Sequence, residues 1–293
     1  MRLLTLEMCT DSLYKRHYIA PLSDLHLGDR MTDLPMFREW VKLLAKKNVV
    51  CFLMGDMCDL RTRYDKRYLD SEVADELRSS GDDLARVQVR MLCKTLAPLL
   101  GNIAFVLQGN HERTLGKCGI FDPHSAVCDE LNVVQGENDW KKGDTPLNGH
   151  ASSYIRIQFK RGGSKRTFKL YVHHGYFGGQ RPNKMKKLND LIHLWDADIV
   201  LVGHGHDTVT TGPVTRPRPS PTWDRLVMRP GIGIMCPSWK RPLPQSHISW
   251  EETRGFVPSV HGPTLLRITP ETREIEVFFG KYAFNTLNRA SIL

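Results

Sequence analysis

Five short apolar runs, each ending in a polar cluster of metal-binding residue types, constrain this chain more than any other feature. The runs are His17 to Leu22, Val49 to Met54, Ile103 to Leu107, Phe168 to Val172 and Ile199 to Val202. Their length and their β-forming residues predict strands. Stretches with helical spacing lie between several of them, at Leu34 to Lys47, Ser71 to Leu100 and Lys184 to Trp195. Strands that alternate with helices predict an α/β sheet. Tyr154 to Val172 reads YIRIQF, KRGGSKR, TFKLYV, a β-hairpin turning at Gly162 and Gly163. Thr264 to Thr269 and Glu274 to Phe279 read as two closing strands around a Pro-Glu-Thr-Arg turn.

The clusters are Ser23-Asp24-Leu25-His26, Gly55-Asp56, Gly109-Asn110-His111-Glu112, His173-His174-Gly175 and Gly203-His204-Gly205-His206. Singly, each has an ordinary explanation as a turn, a loop or a hydrogen-bonded histidine. Jointly they do not, because six of the twelve histidines fall in them and every cluster follows a strand. Ligands of open α/β sheets bind beyond the carboxyl ends of the strands, so five such tips can meet at one place. Carboxylate oxygen with neutral imidazole suits Mn, Fe, Zn or Ni, whereas an all-oxygen cage suits Mg or Ca. A carboxylate shared by two such ions holds them about 3.5 to 4 Å apart with an acidified water between them, and Asp56 is the candidate bridge.

Composition narrows the setting. Apolar residues make up 41% and charged residues 25%, ordinary for a globular protein. No apolar run is long enough to span a bilayer. The opening residues carry Glu7 and Asp11 where a secretion signal needs an unbroken apolar stretch, so the expectation is a mature, cytoplasmic protein without a membrane partner. Seven scattered cysteines form no CxxC pair, which removes zinc-ribbon and disulfide-scaffold readings. The net charge of +9 favours polyanionic partners such as nucleic acid, with a merely solubilising basic surface as the alternative.

The ordered set DxH, GD, GNHE, HHG, GHGH between Asp24 and His206 resembles the calcineurin-like metallophosphoesterase superfamily, of the dinuclear bacterial or phage type. The resemblance implies an α/β sandwich of two mixed β-sheets flanked by helices. It implies a metal-dependent phosphoric ester hydrolase in which a hydroxide bridging two divalent transition metals, Mn first, attacks phosphorus directly. Carried over by position, Asp24, His26 and His206 bind one metal. Asp56 bridges, and Asn110, His204 and one of His173 or His174 bind the other. Asn110 also touches the substrate phosphate, and His111 sits beside it as hydrogen-bond or proton donor. Asp59 is the carboxylate that orients His111. Adjacent residues of an extended segment point to opposite sides, so of His173 and His174 one is the ligand and the other lies behind it or faces substrate. His174, directly before Gly175, is preferred.

One domain over residues 1–293 is expected, with two departures from compact relatives. One is a helical insertion at about 62–100. The other is an extended, loop-rich excursion at about 207–263, which carries ten of the seventeen prolines together with Trp223, Trp239 and Trp250. Leu60-Arg61 and a complete GHGH argue against the protein Ser/Thr phosphatase branch. The basic residues Lys160, Arg161, Lys165 and Arg166 on the hairpin turn, and Arg181, Lys184, Lys186 and Lys187 after the Gly175, Gly178, Gly179 loop, would grip a phosphate backbone if they faced the site. That reading favours a nuclease or phosphodiesterase. The alternatives are a phosphomonoesterase acting on a nucleotide or phosphoprotein, and a binding protein that has lost its metals.

Overall fold

The computed structural model describes residues 1–61, 68–117, 119, 121–135, 139–175, 179, 181–219, 225–243, 252, 255 and 257–290. The start of the expected insertion, 62–67, and Cys118, Gly178, Trp223 and Trp250 lie outside them. In chain order the strands are β1 Arg2–Cys9, β2 His17–Leu22, β3 Val50–Leu53, β4 Ile103–Leu107, β5 Asp139–Lys141, β6 Leu147–His150, β7 Ser152–Arg161, β8 Ser164–His173, β9 Ile199–Val202, β10 Val209–Pro219, β11 Leu226–Met235, β12 Thr264–Thr269 and β13 Glu274–Phe279. The helices are α1 Leu34–Lys46, α2 Leu84–Leu96, α3 Asn110–Gly116, α4 Pro123–Glu130, α5 Arg181–Leu194 and α6 Gly280–Arg289.

Two mixed sheets result, in the orders β10-β11-β9-β8-β7-β1-β5 and β13-β12-β2-β3-β4-β6. Their facing sides form one core, in which Leu4, Ile157, Phe168 and Ile199 meet Ile19, Phe52, Phe105 and Leu266. Phe52 and Phe105 stack there with ring centroids 4.5 Å apart, and each fully buried ring contributes about 1.5–3 kcal/mol of transfer free energy. The period-2 alternation of β2 sends Ile19 to this core and Ala20 and Leu22 to a second one under α1, α2 and α6. The outer face of the first sheet is covered by α5 through Leu188 and Ile192. The expected sandwich is therefore present. No helix of the described residues is long and apolar enough to cross a membrane.

The five runs become β2, β3, β4, β8 and β9, and the hairpin turns at Gly162, where φ is 53°. Three elements differ from expectation. The stretch 71–100 is not one helix: 3-10 turns at Asp70–Glu72 and Asp75–Asp83 precede α2, broken at Gly81 with φ 57° and ψ −132°. The cluster at Asn110 opens α3 rather than a loop. The Pro-rich excursion contains β10 and β11, paired antiparallel, with β11 parallel to β9. Prolines are tolerated because β10 is the sheet's edge, where missing N–H donors break no ladder.

His17 opens β2 against Phe159, with ring centroids 4.7 Å apart, and its Nε2 is buried without a hydrogen bond. Burial, helped by the Lys15 charge, lowers its pKa to about 4. The unfolded chain therefore binds this proton more tightly, and the stability present above the ordinary histidine pKa is lost as pH falls towards 4. A His17→Leu variant is expected to gain on the parent in melting temperature as pH is lowered from 7 to 4. A difference that stays constant across that range would refute the assignment.

Candidate active site

Strands β2, β3 and β4 run parallel in one sheet, and β8 and β9 run parallel in the other. Their carboxyl ends lie along one edge of the sandwich and bring Asp24, His26, Asp56, Asn110, His111, His174, His204 and His206 together. The turns that achieve this are tight. Asp24, His26, Asp56, His204 and His206 all have φ between 49° and 62°, a left-handed conformation costing on the order of 1–3 kcal/mol at each non-glycine residue. The motif glycines are steric requirements of the same turns. A Cβ on Gly109 would lie 2.2 Å from the Asp56 amide nitrogen and Oδ1, and one on Gly203 2.3 Å from Ser23 Oγ.

Three groups of potential ligand atoms form: Asp24, His26 and His206; Asp56, His174 and His204; and His26, Asp59 and His111. In the first, His26 Nε2 and His206 Nε2 are 3.0 Å apart, and His206 Nε2 is 3.4 Å from Asp24 Oδ1. Asp24 accepts from the His204 amide at 2.9 Å and from the Ser23 hydroxyl. In the second, His174 Nε2 is 3.1 Å from both Asp56 Oδ2 and Asn110 Oδ1, while its Nδ1 meets the Met54 carbonyl at 2.8 Å. That carbonyl takes the Nδ1 proton and turns the Nε2 lone pair inward, the arrangement typical of a metal-ligating histidine. His26 differs, with Nδ1 buried 3.7 Å from Asp59 Oδ1, a charge contact rather than a hydrogen bond.

The charges agree with this geometry. Burial alone would raise the carboxyls of Asp24 and Asp56. The hydrogen bond to His206 and the charge of His174 instead hold Asp24 at about 2, and His174 and His111 hold Asp56 well below the carboxylate range. Burial opposes a charge on His174, yet Asp56 overrides it and raises this histidine to about 10. The same burial drives His26 down to about 4. Asp56 Oδ2 is buried without a hydrogen bond. Inward lone pairs of nitrogen and oxygen around two buried carboxylates fit divalent cations, which would replace the His174 proton.

His174, not His173, enters the cluster. His173 lies beside Tyr171, with ring centroids 6.2 Å apart, and belongs to none of the three groups. Asp59 does meet His111, but through its backbone carbonyl to Nδ1, whereas its carboxylate faces His26 and accepts from Arg61 Nε at 2.7 Å. His111 is fixed from the other side by its amide, which donates to Asp56 Oδ1 at 2.9 Å.

Several supports carried little signal in the sequence. Glu112, at the third position of α3, accepts from the amides of Asp56, Met57 and Gly109 at 3.1, 2.9 and 3.0 Å, and so ties the β3 and β4 turns together. Burial and the neighbouring Asp56 push it up to about 7. From the Pro-rich excursion, Ser238 Oγ and the Trp239 amide both donate to the Asp24 carbonyl. Lys184 donates to the Gly205 carbonyl at 2.7 Å, between His204 and His206. The basic residues of the hairpin turn do not face the site, because they sit at the opposite end of β8 from His174. Lys160 pairs there with Glu7, and Arg166 with Glu271 at 2.7 Å.

The family model of calcineurin-like phosphoesterases matches residues 18–234. The chain belongs to the calcineurin-like phosphoesterases. It is accordingly a metal-dependent hydrolase of phosphoric esters. No curated protein matches the sequence. Among solved structures it is similar to a Streptococcus pneumoniae protein predicted to be a phosphoesterase, at 13% identity, covering 92% of each chain with TM-score 0.34. It is also similar to GAP50, the anchor in the inner membrane complex of Plasmodium, at 10% identity, covering 90% of this chain and 88% of that one with TM-score 0.44. A metallophosphoesterase from Sphaerobacter thermophilus is similar at 11% identity, covering 92% and 91% with TM-score 0.36.

Arg61 is the counter-charge of a network beneath this phosphoesterase site. It meets Asp59 at 2.7 Å, Asp29 at 2.8 Å and Glu72, and Asp29 is also met by Lys240 at 2.8 Å. Its side chain is only 14% exposed, so removing the guanidinium leaves buried carboxylates short of positive charge, at a cost of about 3–5 kcal/mol. Arg61→Met is expected to lower the unfolding free energy extrapolated from urea titration by that amount, seen as a lower midpoint at unchanged slope. An unchanged midpoint would show that the network contributes nothing.

Proposed function

We propose that the chain is a dinuclear phosphodiesterase. Asp24, His26 and His206 would hold one divalent ion, Asn110, His174 and His204 the other, and Asp56 would lie between them. The observation that carries this reading is the buried Asp56 carboxylate with inward-turned imidazole nitrogens around it and no hydrogen bond on Oδ2. Imidazole-rich donors favour a transition metal, with manganese the first choice. Bound there, such ions supply Lewis acidity, which acidifies water and neutralises phosphate charge.

The protein's own residues then have distinct tasks. Asn110 and His111, in the first turn of α3, would meet an approaching phosphate with their side chains, since the His111 amide already donates to Asp56 Oδ1. His111 is oriented by the Asp59 carbonyl on Nδ1, which leaves Nε2 to hydrogen-bond a phosphate oxygen or to pass a proton to the departing alkoxide. Glu112 ties the β3 and β4 turns together, and Lys184 braces the β9 turn from α5. Lys186 and Lys187, exposed on the helix that braces the GHGH turn, favour a substrate with more than one phosphate. They are the remaining support for a nucleic-acid or nucleotide diester, since the hairpin cations lie at the other pole.

With manganese and bis-p-nitrophenyl phosphate, His111→Ala should lower kcat by about 10²- to 10⁴-fold while the metal content of the purified protein is retained. Asp56→Asn should lower both turnover and metal stoichiometry. Full turnover in either variant would overturn the assigned roles. Faster hydrolysis of p-nitrophenyl phosphate than of the diester would instead mark a phosphomonoesterase.

A further inference from the structure

At the pole opposite the metal-type cluster, where β2 begins, the chain carries a second polar surface. A cavity of about 1020 Å³ opens between the 14–18 segment, β12 and the C-terminal helix α6. Its wall includes Tyr14, Lys15, Arg16, Arg267, Tyr282 and Arg289, with no acidic side chain among its lining residues. A neighbouring cavity of about 580 Å³ along the β12–β13 edge shares Arg16 and Arg267 with it but is also lined by Glu274 and Glu276, so the acid-free surface ends there.

The cations are not equivalent. Arg267 is held in place: it pairs with Glu276 through two nitrogens and lies over the Phe278 ring at 5.1 Å. Lys15 pairs with Asp11 at 3.3 Å. Arg16 and Arg289 are exposed and make no salt bridge among the described residues, although the Arg16 charge also acts on Glu276. Lys47 donates to the Ala290 carbonyl at 2.6 Å, which fixes the end of α6 beside Arg289. Tyr14 and Tyr282 are 69% and 77% exposed, large rings left in water along the same cavity wall.

Exposed arginines beside exposed aromatic rings in a concave surface match what single-stranded nucleic acid requires: cations for the backbone and flat faces for the bases. We infer that the groove between Tyr14, Arg16, Tyr282 and Arg289 binds single-stranded nucleic acid at a place separate from the hydrolytic site. The inference does not rest on the reading of the metal cluster. Of the basic side chains that give the chain its excess of positive charge, those on the hairpin turn include Lys160 and Arg166, which already face acids. Other cations, Lys186 and Lys187 among them, are also exposed, but the groove sets two exposed arginines beside two exposed aromatic rings.

The test is fluorescence anisotropy of the full chain with a fluorescein-labelled, nuclease-resistant 2′-O-methyl oligouridylate over a range of salt concentrations, with hydrolysis of bis-p-nitrophenyl phosphate followed in parallel. The parent should bind with a salt-dependent affinity. Arg16→Glu combined with Arg289→Glu should weaken binding at least tenfold and flatten the salt slope. Tyr14→Ala combined with Tyr282→Ala should weaken it about tenfold while leaving heparin binding unchanged, and both pairs should keep parental diesterase turnover. Absence of binding by the parent overturns the proposal, as does binding that neither pair weakens. Equal loss of oligonucleotide and heparin binding in the tyrosine pair would also overturn it, because the rings would then not be reading bases.

Discussion

Two carboxylates buried away from water, Asp24 and Asp56, set the terms for everything around them. A buried anion costs several kcal/mol unless positive charge or donors surround it, and here the surroundings are imidazoles and backbone amides drawn from five different turns. His174 held at about 10 by Asp56 shows the demand for positive charge at this spot. Divalent cations meet that demand better than a proton does, since they satisfy the Asp56 oxygen that has no hydrogen bond and the inward lone pairs of several imidazoles together. The left-handed backbone at five of these residues is the structural counterpart of that electrostatic gain. The strained conformations persist because the surrounding hydrogen bonds and glycines leave no alternative.

The fold's part is to supply five parallel strand ends along one edge. Each sheet contributes its own turns, and the apolar core between the sheets keeps the two sets in register. Small residues do the rest: backbone atoms approach so closely at Gly55 and Gly109 that a Cβ on either would meet the other turn within 2.7 Å. The Gly of each Gly-Asp, Gly-Asn and Gly-His step is thus set by packing between turns as much as by the turn's own backbone.

Much of this was legible in the sequence. Strands such as Ile103–Leu107 and Ile199–Val202 are fully apolar because both faces are covered, and each stops where the ligand residues begin. What could not be read has a physical reason in each case. The opening segment RLLTLEMC forms β1 between β7 and β5, yet only three of its eight residues are buried, so its pattern is blurred. Strands β10 and β11 were hidden by prolines, which are tolerated on the edge strand β10 and, at Pro230 of β11, beyond the residues paired with β9. The family resemblance placed the Asp59 carboxylate beside His111, but next to a left-handed Leu60 that carboxylate bonds Arg61 and faces His26, and the hydrogen bond to His111 comes from the Asp59 carbonyl. Arg61 itself had no periodic or motif signal, because its three acidic partners are brought together only by tertiary contact.

Net charge was the least local of the sequence signals, and the structure shows why it misled about place. Cations near acids in space are neutralised whatever their crowding in sequence: the KRGGSKR turn meets Glu7 and Glu271, and Lys184 is spent on Asp207 and the Gly205 carbonyl. Attraction for a polyanion therefore depends on where positive side chains lack such partners. Arg16 and Arg289 lie far apart in sequence, one at the head of β2 and the other at the end of α6, and no run of basic residues marks either. Only the antiparallel pairing of β12 with β2, followed by β13 and the return of α6 over the sheet, sets them on one surface with two exposed tyrosines.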